Sequence, residues 1–117
     1  MKKDPIVFLK HILDSIADIE DFTKKITTKK NFFENKVVYE AVIRKIEVIG
    51  EAVKNIPLPF REKYQDVPWR GIAGMRDKLI HNYFEIDVNR VLVAIQQEIP
   101  NLKKQIKEIL EENKKNN

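Results

Sequence analysis

The chain contains no cysteine. Disulfides and thiolate metal sites are therefore excluded. Histidine is nearly absent too: there are two, His11 and His81. No Asp, Glu and His cluster at ligand spacing, so no metal site competes for attention. Long apolar runs are missing, and none approaches the roughly 18 residues needed to span a bilayer. Lys10, His11, Asp14 and Asp18 interrupt the first apolar segment, which is not the pattern of a signal peptide. No membrane association and a cytoplasmic location are the default expectations. Glycine is scarce, at three, and two of the three lie with the single tryptophan in Trp69-Arg70-Gly71-Ile72-Ala73-Gly74-Met75. Strand-like alternation, internal repeats and linkers are absent.

The 117 residues suit one domain, 1–117, with enough length to bury a core. The 43% hydrophobic content fits a globular chain. The net charge of +4 is compatible with a phosphate-rich partner but does not establish one.

Asp4-Pro5 is a good helix start, because Asp caps and Pro is favoured in the first turn. Ile6, Leu9, Ile12, Leu13, Ile16, Ile19, Phe22 and Ile26 then step by three and four, one stripe on a helix. His11 reads as a surface or rim residue. Thr27 to Asn31 breaks the stripe. Lys24, Lys25, Lys29 and Lys30 there form a basic cluster, either a solvated turn or a phosphate contact. Phe33, Val37, Val38, Val42, Ile46, Ile49, Val53 and Ile56 make a second stripe. Within it Gly50 costs on the order of 1 kcal/mol relative to alanine, which implies close approach of another helix. Glu51 beside it is either a surface carboxylate or a partner for an arginine of the third helix.

Pro57, Pro59 and Pro68 rule out a continuous helix between the second and third regions. Phe60 to Tyr64 has room for one short helical turn. A third helical region is expected from Trp69 to Tyr83, with Ile72, Met75, Leu79 and Tyr83 on one face, and Gly71 and Gly74 suggest tight packing. Asp87 can cap a last helix, whose stripe runs through Val88, Leu92, Ile95, Ile99, Leu102, Ile106 and Ile109. Pro100 should kink or divide it. The polar tail should fray from about residue 111. The expected fold is all-α, a four-to-five-helix up-and-down bundle. The long last stripe suggests more apolar surface than one small bundle covers, hence a homodimer.

Chemistry concentrates in Arg76-Asp77-Lys78-Leu79-Ile80-His81-Asn82-Tyr83. Arginine offers a planar cationic fork to phosphate oxygens. Histidine carries a proton near neutral pH. Together they supply what phosphodiester cleavage without a metal needs. On a regular helix a five-residue step turns by about 500°, leaving Arg76 and His81 roughly 140° apart. Either the helix is irregular near His81 or a second subunit completes the site. Asp77, four residues before His81, could share its face and orient the imidazole. Asn82 could hold a phosphate or cap the helix end. A purely structural alternative has Arg76 paired with a carboxylate such as Glu51, His81 as a cation at a helix terminus, and Tyr83 in the core.

Arg76, His81 and Tyr83, spaced Arg-x4-His-x-Tyr, resemble the signature of HEPN-domain proteins of the HepT toxin family. Ile49-Gly50-Glu51-Ala52, Pro68-Trp69-Arg70, Gly74-Met75-Arg76-Asp77 and Ile86-Asp87 fit the same pattern in the same order. The resemblance implies a HEPN-like helical domain that dimerises and a metal-independent endoribonuclease site. Arg76 and His81 would sit at a cleft between subunits and act on RNA through the ribose 2′-hydroxyl, without a cofactor. It further implies the toxin of a type VII-like toxin–antitoxin pair. The partner would be an MNT-type nucleotidyltransferase that neutralises the toxin by moving AMP from ATP to Tyr83. Two other readings stay open. One is a non-catalytic helical dimer module that docks a nucleotidyltransferase or a nucleotide. The other is a nucleic-acid-binding bundle that uses the four lysines.

Overall fold

The computed structural model describes residues 3–81 and 85–115. Asn82 and Tyr83 lie outside these described residues. Helix α1 (Pro5–Thr23) starts where Asp4 accepts the Ile6 N–H. A short helix, α2 (Lys29–Glu34), is capped by Thr28, whose side chain accepts the Asn31 N–H. Asn35 then ends α2 and caps α3 (Lys36–Lys54) by accepting the Val38 N–H. The break in the first stripe thus holds a helix of its own. One consequence is that Phe32, not Phe33, enters the core, while Phe33 and Val37 are exposed.

The proline-rich connection contains α4 (Leu58–Lys63), the single short turn expected there. Trp69 fixes it from the next element: its indole N–H donates to the carbonyls of Arg61, at 3.2 Å, and Tyr64, at 3.0 Å. Both carbonyls lie at the end of α4, where the Tyr64 and Val67 backbone N–H groups also donate to them, each at 3.2 Å.

The third region departs from the expected helix. It consists of α5 (Trp69–Ala73) and α6 (Met75–Leu79), separated at Gly74. Ile80 then turns to an extended conformation, and β1 (Ile80–His81) pairs antiparallel with β2 (Glu85–Ile86). The helix ends because its last residue, Leu79, gives its carbonyl to the Asp87 N–H at 2.8 Å.

Asp87 caps α7 (Val88–Val93) by accepting the Arg90 N–H at 3.0 Å. A π-turn (Ala94–Glu98) follows, and α8 (Ile99–Lys115) completes the chain. The proline expected to disturb the last helix does so one turn upstream. Pro100 has no N–H for the Gln96 carbonyl, and the backbone widens ahead of it, with the Ile99 N–H donating five residues back to Ala94. The helix extends through Lys115. Asn113 there donates to the Tyr64 hydroxyl at 3.1 Å.

These elements form an all-α fold in which α1 packs most extensively on α3, and α8 lies against α1. Leu9, Ile12, Ile16, Val42, Ile46, Ile49, Leu79, Leu102 and Ile106 build its core. The stripe of the last helix is covered within one chain: Leu92, Ile99, Leu102, Ile106 and Ile109 are buried, and Val88 and Ile95 pack against them. The apolar surplus expected to drive dimerisation is therefore not present along that stripe. Among the described residues no helix is long and apolar enough to cross a membrane.

Gly50 marks the close approach expected of it. A Cβ there would stand 3.0 Å from the Ala73 carbonyl oxygen of α5. That oxygen belongs to backbone and cannot swing aside. Gly50→Leu should therefore destabilise the protein by about 1–3 kcal/mol through overpacking, measured by urea denaturation. A stability equal to wild type would show that α5 is free to move off α3. Gly71 and Gly74 meet nothing closer than 3.9 and 3.6 Å, so tight packing is not their reason. Gly74 serves as the joint between two short helices.

Candidate active site

The site stands where the chain leaves α6. Arg76 is in the first turn of that helix, with Met75 and Leu79 buried on either side of it and its own side chain 45% exposed. Its Nε donates to Glu47 on α3 at 3.1 Å. The other Glu47 oxygen accepts from Arg44 at 2.7 Å. Glu47 therefore holds the guanidinium at Nε, and the side chain stays partly open to solvent. A partner for Arg76 on the second long helix was expected, but at Glu51. Glu51 lies one turn further along, where it pairs with Lys54 at 3.3 Å.

His81 is positioned by a different element. It sits on β1, directly opposite Glu85, and its side chain is 58% exposed. Its Nε2 lies 3.4 Å from Asp87 Oδ2. The expected pairing with Asp77 does not form. That pairing needs a helix through residue 81, and the helix stops at Leu79. Asp77 instead faces Arg76, with 3.7 Å between carboxylate and guanidinium. The hairpin replaces it with Asp87, a residue legible in the sequence as a helix cap but not as a histidine partner. The 140° separation reckoned for a continuous helix does not apply either, since Arg76 is helical and His81 extended. The chain is irregular near His81, one of the two possibilities foreseen.

Asp87 has a lowered pKa. The main cause is the hydrogen bond from the Arg90 backbone N–H, reinforced by the contact with His81, and partial burial opposes both. It is accordingly a carboxylate at neutral pH. Arg90 forms an ion pair with Glu98 across the π-turn, and that hydrogen bond raises the pKa of the guanidinium. Beside His81 there is thus a connected line of charges: Asp87, Arg90 and Glu98.

The remaining candidates lie elsewhere. Lys24, Lys25, Lys29 and Lys30 are exposed around the connection from α1 to α2. His11 is exposed, edge-on to Phe8 with 6.1 Å between ring centres. It borders a shallow groove of about 400 Å³ between α1 and α3, with Asp14, Asp18, Lys45 and Glu51 on its walls. Among the described residues no three Asp, Glu or His side chains are grouped to hold a metal ion.

Comparison with known proteins places this geometry in context. Residues 12–109 match the family described as Ribonuclease HepT-like. A Methanocaldococcus jannaschii protein named as a gamma-glutamylcyclotransferase and candidate RNase is 48% identical over 116 residues, 99% of this chain and 52% of that relative. This chain thus spans about half of its length. A candidate RNase of Caldanaerobacter subterraneus is 46% identical over 112 residues, 96% of this chain and 99% of that protein. A Thermococcus cleftensis protein named as a probable ribonuclease HepT is 44% identical over 103 residues, 88% of this chain and 93% of that protein. No solved structure matches the chain.

Proposed function

The chain belongs to the HepT-like ribonuclease family, and from that premise we propose that it is the endoribonuclease toxin of a type VII-like toxin–antitoxin pair. In this reading it cuts RNA without a metal through Arg76 and His81. The observation that carries the reading is the pair itself. A guanidinium and an imidazole, both open to solvent, stand on consecutive elements, and each is held by its own carboxylate.

The chemistry follows from these groups. A ribose 2′-hydroxyl attacks the adjacent phosphorus, the bond to the 5′-oxygen breaks, and a 2′,3′-cyclic phosphate and a 5′-hydroxyl result. The 2′-oxygen gives up a proton and the 5′-oxygen gains one, both through His81 as proton carrier. Charge that develops on the phosphoryl oxygens is met by the partly exposed guanidinium of Arg76. A homodimer would place two such sites side by side, one residue of each kind per subunit. Lys24, Lys25, Lys29 and Lys30 would hold the flanking RNA backbone. Asn82 would assist at the phosphate, and Asp77, beside the guanidinium, would help to hold Arg76. Cleavage calls for no cofactor.

Inhibition would act through Tyr83. An MNT-type nucleotidyltransferase partner would join AMP from ATP to the tyrosine hydroxyl and release pyrophosphate. An added anion two residues from His81 would repel an RNA phosphate. Incubation with such a partner and ATP should raise the intact mass by one or more AMP units, and Tyr83→Phe should stay unmodified. AMP found on another residue would contradict the assignment. The toxin reading is tested by expression in bacteria without the antitoxin. Growth should stop with wild type and continue with His81→Ala. Equal growth with intact cellular RNA in both would overturn it.

A further inference from the structure

Asp87 is engaged at every polar position it has. Its backbone N–H closes the end of α6 on Leu79 O, at 2.8 Å. Its Oδ1 accepts the Arg90 N–H and starts α7. Its Oδ2 faces His81 Nε2. We propose that Asp87 is the positioning residue of the ribonuclease site: it presents a fixed carboxylate to Nε2 of His81, and so leaves Nδ1 as the nitrogen that exchanges protons with RNA.

The inference rests on the ribonuclease reading above, but its geometry does not depend on it. A carboxylate on one ring nitrogen selects the tautomer in which that nitrogen carries the hydrogen, and it limits rotation of the ring. An ordinary surface carboxylate does this poorly, because its own side chain swings. Asp87 cannot swing without uncapping α7. The Arg90–Glu98 ion pair adds a second restraint, since it secures the residue whose N–H binds Oδ1. The helix cap is thus also the support for the imidazole.

The two roles separate by substitution. Ser and Asn cap a helix about as well as Asp. Ser is too short to reach His81, while Asn reaches it without charge. In the full-length protein, Asp87→Ser should keep the thermal midpoint of wild type within a few degrees. Its kcat for RNA cleavage should fall by at least about tenfold with KM little changed. Asp87→Asn should fall between the two. Independently of activity, ¹⁵N spectra of neutral His81 should report Nε2–H as the dominant tautomer in wild type, with Nδ1–H gaining population in Asp87→Ser. The proposal is overturned if the His81 ring signals are the same in wild type and Asp87→Ser, or if Asp87→Ser cleaves as fast as wild type. It is also overturned if the loss of activity only tracks loss of folded protein. If wild type does not cleave RNA at all, the ribonuclease reading fails, and the ¹⁵N spectra alone decide whether Asp87 positions the ring.

Discussion

His81→Ala should lower RNA cleavage by roughly 10²–10⁴-fold, the usual worth of a positioned proton carrier. Arg76→Ala should lower it by about 10²–10³-fold, as expected when one group that stabilises developing charge is removed. Neither change should alter stability much. His81 is more than half exposed, and its contact with Asp87 is a long one at 3.4 Å. Arg76 pairs with Glu47, but both are at the surface, and such a pair contributes only about 0–1 kcal/mol. Thermal melts of the two variants should therefore overlay wild type while their kinetics collapse. That combination identifies chemistry rather than folding as what was lost. Comparable losses of both activity and thermal midpoint would instead give the two residues a structural role.

Leu79→Ala should have the opposite profile. Leu79 is fully buried at the last position of α6, and truncating such a leucine costs about 2–5 kcal/mol. Total stability for a domain of this size is about 5–15 kcal/mol, so much of it would be lost. The damage should also reach the site. Leu79 anchors the end of α6 in the core, gives its carbonyl to the Asp87 N–H, and is followed directly by β1 with His81. Urea unfolding should show the midpoint falling. Hydrogen exchange should show faster opening of residues 79–87 than of α3. A loss under about 1 kcal/mol, or exchange in 79–87 unchanged, would mean that the hairpin does not depend on the core beneath it.

The long stripes were legible because burial of one helix face writes a period of three and four into the sequence. Ile12, Ile16 and Ile19 on α1 and Leu102, Ile106 and Ile109 on α8 are all buried as that period requires. Gly50 was legible for a different reason: a costly residue inside a helix implies a neighbour, and Ala73 is that neighbour. The resemblance carried by Arg76, His81 and Tyr83 is met by the family match over most of the chain.

The details around His81 were not legible, and each has a physical cause. Strands of two residues are too short to show alternation, so Ile80 and His81 looked like the continuation of a helical face. The meeting of His81 with Asp87 requires the chain to reverse, and the spacing of the two residues does not announce a reversal. Glu47 and Glu51 lie one turn apart on α3, and only the position of α6 decides which of them meets Arg76. The Thr27–Asn31 break concealed α2 because six residues give too few turns for a stripe to emerge.

The central claim is that Arg76 and His81 cut RNA by attack of the ribose 2′-hydroxyl, with no metal ion. The most direct test is to digest a single-stranded RNA with purified wild-type protein in excess EDTA and analyse the ends of the products. The account predicts 2′,3′-cyclic phosphate and 5′-hydroxyl ends, formed by wild type and by neither Arg76→Ala nor His81→Ala. Cleavage that EDTA abolishes, 5′-phosphate ends, or equal cleavage by the His81→Ala variant would contradict it.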